Sequence, residues 1–255
     1  SFWGQRLKAS REVTIPLAFS KCEERGRYEN FVKAAHPSEN YKVEGLPFDD
    51  TDVYKTIEGA SYLLQTYPDK NLKSYIDSVL AIVAAAQEPD GYLYTSRTMN
   101  PKRPHDWSGS RRWEKVEDLS HEFYNLGHMV EGAIAHYQAT GKRNFLDIAI
   151  RYADCVCREI GPGEGQQALV PGHQIAEMAL AKLYIVTGDQ KYLDFSKNFI
   201  DYFVQEDGSI KTYDPKEYNL DNVNQGKNLF TLYDIYGEEK YRKAIDLIRS
   251  QLETQ

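Results

Sequence analysis

The chain has 255 residues, of which 41% are hydrophobic and 27% are charged, a composition typical of one soluble globular domain. Its formal net charge of −7 argues against nucleic acid as a partner, because that binding depends on Lys and Arg side chains that neutralise phosphates. No apolar run approaches the roughly 20 residues of a membrane span, so no membrane partner is expected. The chain begins with Ser and shows no secretory signal, which leaves the location open between cytoplasm and periplasm.

The first predicted element is an amphipathic helix over residues 13–35, which contains Cys22. The other two cysteines, Cys155 and Cys157, also lie in a helix-like segment, and the three form no disulfide spacing pattern. Two residues that are two positions apart on a helix point in different directions, so Cys155 and Cys157 make a poor metal pair. We expect buried free thiols.

The next predicted helix follows three aspartates, Asp49, Asp50 and Asp52. Negative charge is stabilised at a helix N-terminus, so we favour a capping role for Asp49 or Asp50, with catalysis as the alternative. Further along this helix, Glu58 either faces a lumen or pairs with Lys55.

A repeat indicates stacked helical hairpins. Three segments share a Tyr, a Gly and a following aromatic residue, and their glycines, Gly141, Gly188 and Gly237, are spaced by 47 and 49 residues. Each Gly is expected to end one helix in the left-handed conformation, and the polar residues after it begin the second helix. A degenerate copy turns at Pro68 and Asp69.

Such hairpins occur in open α-solenoids and in closed α/α toroids. The pitch exceeds the roughly 34 residues of tetratricopeptide repeats, which favours the toroid. Long loops at 88–113 and 205–221 each carry an Asp-Gly turn, which favours a short β-hairpin or an extended strip. We therefore predict an all-α fold, an α/α toroid of helical hairpins, complete or incomplete, with short β-hairpins in its loops and a single domain over residues 1–255.

The segment SHEFYNLGHMVEG is unusually polar for a core helix. His121, Tyr124, His128 and Glu131 follow a spacing of three and four, which places them near one stripe of a helix. The two histidines are seven positions apart, unlike the spacing of four in the zinc motif HExxH. We therefore favour hydrogen bonds to a sugar over a metal site.

Two further predicted helix starts carry polar side chains. In PGHQIAEMAL, Pro171 and Gly172 open a helix, His173 lies in its first turn and Glu177 lies one turn further. Binding in a cleft and helix capping are equal alternatives for His173. In YNLDNVNQG, Asp221 occupies a helix start after the second long loop, with the same alternatives. The predicted substrate-binding residues are thus His121, Tyr124, His128, His173, Glu177 and Asp221.

Residues 2 to about 203 resemble the β-L-arabinofuranosidase family, glycoside hydrolase family 127. The resemblance runs through FWGQRL, GRYENF, FDDTDVYKTIEGASYLL, AAAQEPDGYLYT, SHEFYNLGHMVEGAIAHYQATGK and GHQIAEMALAKLYIVTGDQKYL. It implies an α/α barrel, an exo-acting hydrolase of plant-type arabinosides, and an oligosaccharide or small glycoside as partner. It also implies sugar contacts from His121 or His128 and from His173.

The chain departs from this family in two ways. In GHQIAE, Ile175 stands where the resemblance leads us to expect a second glutamate. The family's catalytic apparatus, a glutamate acid/base and a zinc-bound cysteine nucleophile, lies beyond the matched region, and the three cysteines of this chain do not match it. We therefore assign no catalytic residue and no cofactor, with zinc expected only if a site of this family were complete. Enzymatic activity stays open, with a preference for a glycoside hydrolase.

From about residue 202 the sequence resembles the unsaturated rhamnogalacturonyl hydrolases, glycoside hydrolase family 105, which are also α/α barrels. This resemblance implies that Asp221 is a substrate-site residue, whereas the Trp-Leu-Asp-Gly motif that holds that family's general acid/base is absent. A hybrid of two barrel families, or a partial barrel, would explain the change. The alternatives are unsaturated uronyl hydrolysis and an inactive or engineered helical scaffold, and the terminal helices could pair with a second copy.

Overall fold

The computed structural model describes residues 2–211, 213–214, 216–217 and 226–253. Within these residues the predicted all-α fold class of helical hairpins is confirmed, and β pairing is limited to two isolated bridges, Ile160–Gln167 and Val204–Ile210. No described helix is both long enough and apolar enough to cross a bilayer. The α-helices are α1 (Phe2–Ala9), α2 (Ile15–Glu24), α3 (Arg27–Ala35), α4 (Asp50–Thr66), α5 (Lys70–Ala85), α6 (Thr95–Thr98), α7 (Glu122–Thr140), α8 (Asn144–Glu159), α9 (Ala176–Thr187), α10 (Gln190–Phe203), α11 (Lys227–Tyr236) and α12 (Glu239–Glu253).

The chain divides into two compact units, residues 1–173 and residues 174–255. In the first unit α4 packs along α7, α8 packs against α7, and α3 packs against α5. In the second unit α9 packs against α10, α11 packs against α12, and α11 also contacts α9. The single domain over all 255 residues stays a prediction.

Three of the predicted hairpins turn at a glycine in the left-handed conformation. Gly141 ends α7, Gly188 ends α9 and Gly237 ends α11, with φ values of 71, 74 and 65°. The N–H of each glycine donates to the carbonyl four residues earlier, which closes the first helix. The predicted aromatic residues of the second helices are buried: Phe145, Tyr192 and Tyr241.

The fourth predicted hairpin joins α4 to α5 through a side-chain cap. The Asp69 carboxylate accepts hydrogen bonds from the N–H groups of Asn71 at 2.8 Å and Leu72 at 3.1 Å. These two N–H groups lie in the first turn of α5 and have no partner within the helix. Asp69 therefore fixes where α5 begins.

The predicted single helix over residues 13–35 is wrong, because the chain turns between α2 and α3. Gly26 adopts a φ of 70° there, a conformation that interrupts a right-handed helix. A π-helical turn, Ser10–Thr14, joins α1 to α2. In the first long loop the Asp90–Gly91 turn leads into α6. In the second, the N–H of Gln205 donates to the carbonyl of Ser209 beside the Val204–Ile210 bridge.

The pairing of α4 with α7 positions the candidate site. A Cβ added at Gly132 of α7 would lie 2.8 Å from the backbone oxygen of Tyr54 in α4, so the two helices approach closely where Gly132 lacks a side chain. Phe48, which precedes α4, contacts His121, which precedes α7, with 4.7 Å between the ring centroids. The N-terminal ends of both helices therefore lie side by side.

Candidate functional site

Four of the predicted site residues lie together in the first unit. The ring centroids of His121 and His173 are 4.1 Å apart, and those of Tyr124 and His128 are 4.5 Å apart. Tyr124 links the two pairs, at 5.7 Å from His121 and 6.3 Å from His173. We call His121, Tyr124, His128 and His173 the histidine–tyrosine cluster.

The start of α7 positions His121. Its Nδ1 lies 2.5 Å from the carbonyl oxygen of Leu119, which assigns the ring proton to Nδ1 and leaves Nε2 as an acceptor. Tyr124 and His128 follow on the first two turns of α7. The local sequence predicts this grouping, because residues three and four apart share one face of a helix.

The backbone at Gly172, just before His173, packs closely against the backbone of Val116 and Glu117. The Gly172 N–H donates to the carbonyl of Val116 at 2.9 Å, and a Cβ at Gly172 would lie 2.5 Å from the carbonyl oxygen of Glu117. Only glycine fits this contact. Because α9 begins at Ala176, the prediction that His173 lies in the first turn of a helix is wrong, and His173 does not cap it.

Burial keeps two imidazoles of the cluster neutral near pH 7. Desolvation, reinforced by the neighbouring His173, lowers the pKa of His121 to about 4. Desolvation, reinforced by the charge of Lys55, lowers the pKa of His128 to about 3. A neutral imidazole has one hydrogen-bond donor and one acceptor. It can therefore either donate to or accept from a ligand hydroxyl group.

Sequence reasoning missed Lys55 as a site residue. Its Nζ donates to the Tyr124 hydroxyl at 2.7 Å and lies 4.7 Å from the centroid of the Tyr124 ring. Glu58, the partner that the sequence offers for Lys55, accepts a hydrogen bond from the Tyr62 hydroxyl at 3.3 Å. The partner of Lys55 lies 69 positions along the chain on another helix, so no local spacing indicates it.

Asp49 and Asp50, at the start of α4, hydrogen-bond to neighbouring segments of the chain. Asp49 occupies the predicted N-cap position, yet its carboxylate accepts from the Leu46 N–H at 2.7 Å and pairs with Arg27 at 2.8 Å. Buried Asp50 accepts from the N–H and the hydroxyl of Thr95, at 3.0 and 2.6 Å. Desolvation raises the pKa of Asp50 to about 7. These bonds support a structural role for both carboxylates.

Glu122, next to His121, anchors the start of α7. It is fully buried, and its carboxylate accepts from the Tyr92 hydroxyl at 2.6 Å, from the Trp113 N–H at 3.1 Å and from the Ser120 hydroxyl. Burial raises its pKa. With its oxygens occupied by protein donors, Glu122 positions the helix that carries the cluster.

In the second unit, Glu177 lies in the first turn of α9. Both carboxylate oxygens are buried, and among the described residues no side chain donates a hydrogen bond to them, while the backbone N–H groups of Glu177 and Ile175 favour the charged form. Desolvation raises the pKa of Glu177 to about 7, so the carboxyl group can hold or release a proton near neutral pH. The remaining predicted site residue, Asp221, lies outside the described residues.

The described residues do not fit the zinc site that the resemblance implies. One group of three candidate ligands occurs among them, Asp90, Cys155 and Glu159, whose ligand atoms lie within 4.8 Å of one another. Arg112 pairs with Asp90 at 2.5 Å and Arg158 pairs with Glu159 at 3.1 Å, so cations already neutralise the carboxylates. Burial also raises the pKa of Cys155 to about 12, which disfavours the thiolate that zinc requires. None of the three cysteines forms a disulfide bond, as predicted; Cys22 and Cys155 are buried as expected, whereas Cys157 is only half-buried.

Comparison with known proteins identifies the family. The model of the β-L-arabinofuranosidase, GH127 catalytic-domain family matches residues 1–255. The chain belongs to this family. The match includes the stretch from about residue 202 that resembles family 105, so one family accounts for the whole chain without a second one.

Individual relatives agree with this assignment. A curated non-reducing end β-L-arabinofuranosidase of Bifidobacterium longum subsp. longum is 35% identical over 222 residues, which are 86% of this chain and 32% of the relative. A solved GH127 β-arabinofuranosidase is 67% identical, with a TM-score of 0.90, over 98% of this chain and 41% of its own. The solved GH127 β-L-arabinofuranosidase Ara127N of Geobacillus stearothermophilus T6 is 31% identical, with a TM-score of 0.85, over 99% of this chain and 44% of its own. The chain thus spans less than half the length of each relative.

Proposed function

We propose that this chain carries the sugar-contacting part of a GH127 glycoside hydrolase and that the histidine–tyrosine cluster binds an L-arabinofuranoside unit of a plant-type glycan. The observation that carries the proposal is the packing of His121 on His173 beside Tyr124 and His128. The relatives named above as β-L-arabinofuranosidases support the choice of sugar.

The chemistry of the cluster suits a polyhydroxylated ligand. The neutral imidazoles of His121 and His128 and the phenol of Tyr124 offer donors and acceptors, and each sugar hydroxyl both donates and accepts. The buried Nδ1–H of His121 is used by Leu119, so its Nε2 is the atom available to a ligand hydroxyl. The cluster therefore offers hydrogen-bond donors and acceptors that suit the hydroxyl groups of a sugar.

The buried carboxyl groups of the described residues differ in whether protein side chains already occupy their oxygens. Hydrolysis of a glycoside usually needs two carboxyl groups, one of them protonated as the acid. Asp50 and Glu122 accept hydrogen bonds from protein donors that include side chains, whereas Glu177 has a raised pKa and no side-chain donor among the described residues. We keep Glu177 and Asp221 as proposed substrate-site residues and assign no catalytic pair.

Calorimetric titration of the chain with methyl β-L-arabinofuranoside tests the proposal. His121→Ala and His173→Ala should each raise Kd about tenfold, because each removes hydrogen bonds worth roughly 1 kcal/mol or more. The control is His36→Ala, an exposed residue at the end of α3. Circular dichroism should show that all variants remain folded. Equal Kd values for the wild type, both cluster variants and the control would contradict the proposal.

A further inference from the structure

We infer that Lys55 is a positioning and specificity residue of the histidine–tyrosine cluster, one that makes the Tyr124 hydroxyl donate its proton to an oxygen of the bound sugar. The inference rests on the proposed function. It adds a cationic residue from α4 to a site whose other members lie just before α7, on α7 and just before α9. It also states what Tyr124 requires of its ligand, namely an oxygen that accepts a hydrogen bond.

The hydrogen bond between Lys55 and Tyr124 fixes which group donates. An ammonium group has donors and no acceptor, so in the 2.7 Å contact the phenolic oxygen of Tyr124 must accept. The proton of the phenol is then directed elsewhere. Within the described part of the chain the Tyr124 hydroxyl donates no hydrogen bond to the protein, and since the side chain is only half-buried, its proton is available to a ligand.

The surroundings of Lys55 point to the same role. Within the described part of the chain, no carboxylate forms a salt bridge with Lys55, although the side chain is only partly exposed. Its charge faces the Tyr124 ring at 4.7 Å and the neighbouring His128, which it helps to keep neutral. A cation held in this place disfavours a second cation. The site should therefore accept neutral sugars and reject a protonated amino sugar.

Calorimetric titration with methyl β-L-arabinofuranoside tests the inference through a double-mutant cycle. Lys55→Met and Tyr124→Phe should each raise Kd about tenfold, and the double variant should also lie near tenfold rather than a hundredfold, because both changes remove one shared interaction. Lys55→Arg, which keeps the charge and the donors, should restore most of the affinity. Lys70→Met, an exposed lysine at the start of α5, is the matched control.

The outcomes separate the inference from the proposed function. If His121→Ala weakens binding while Lys55→Met matches Lys70→Met, the inference is wrong and the proposed function stands. Additive effects of Lys55→Met and Tyr124→Phe would also overturn it. If neither His121→Ala nor Lys55→Met changes Kd, the proposed function fails and the inference fails with it. Thermal unfolding of each variant confirms that the fold is retained.

Discussion

Burial sets the charge of individual side chains in both units, and it acts in opposite directions on bases and acids. Desolvation lowers the pKa of His121 to about 4 and that of His128 to about 3, and raises the pKa of Glu177 to about 7. The histidines are therefore neutral near pH 7, while Glu177 is close to half protonated. The sequence predicts these residues as site candidates, but their protonation states depend on burial, which only the fold determines.

Replacement of Glu177 should reveal the cost of its buried charge. The pKa of Glu177 is about 7 in the folded protein, against roughly 4.3 for Glu in an unfolded chain. Between these two pH values Glu177 is protonated in the folded state and ionised in the unfolded state. The contribution of this group to the free energy of unfolding is fully present below about pH 4 and is lost as the pH rises through 7. We expect Glu177→Gln to raise Tm by a few °C at pH 8 and to change it little at pH 4.

Thermal unfolding at both pH values, followed by circular dichroism, measures this difference. Glu164→Gln is the control, because Glu164 is exposed in the loop after α8 and its replacement should leave Tm unchanged at either pH. The same Tm shift for Glu177→Gln at pH 4 and pH 8 would show that the carboxyl group is not held protonated by burial.

Among the helices and turns, the features that depend on a few neighbouring residues could be predicted from the sequence. The hairpin turns at Gly141 and at Asp69 follow from a left-handed glycine and a capping carboxylate, both readable within a few residues. The break at Gly26 was missed, because amphipathic periodicity continues on both sides of it. The bond from Lys55 to Tyr124 joins distant helices, and only their packing brings the two residues together.

Because α4 and α7 approach closely, replacing Gly132 by Ala should lower the free energy of unfolding far more than replacing Gly59 by Ala. In Gly132→Ala the new Cβ would lie 2.8 Å from the Tyr54 backbone oxygen and 3.1 Å from the Phe145 ring, so we expect a loss of about 1–3 kcal/mol in the free energy of unfolding. In Gly59→Ala the nearest atom is the Ile15 Cδ1 at 3.2 Å, a side-chain end that can move.

Urea denaturation of both variants checks this prediction. Alanine favours a helix over glycine by up to about 1 kcal/mol, so Gly59→Ala should be neutral or stabilising. A Gly132→Ala protein as stable as the Gly59→Ala protein would mean that α4 and α7 are not packed as closely as described.

For the molecule as a whole, the family could be predicted from motifs spread along the chain, and the match over residues 1–255 confirms it. The change of resemblance near residue 202 does not mark a second family, because the one family model matches the residues on both sides of it. The candidate site was predicted in part. Three of its residues lie on or beside α7 at helical spacing, His173 lies against them through the fold, and Lys55 was found only in the structure.

The most direct test of the account is a nuclear magnetic resonance titration of the histidine side chains with methyl β-L-arabinofuranoside. The chain has six histidines, so the ring nitrogens can be assigned by single substitutions. The account predicts that the resonances of His121, His128 and His173 shift together along one saturable curve, while those of His36, His105 and His136 stay in place. Shifts confined to the second group, or no saturable shift in the first, would contradict it.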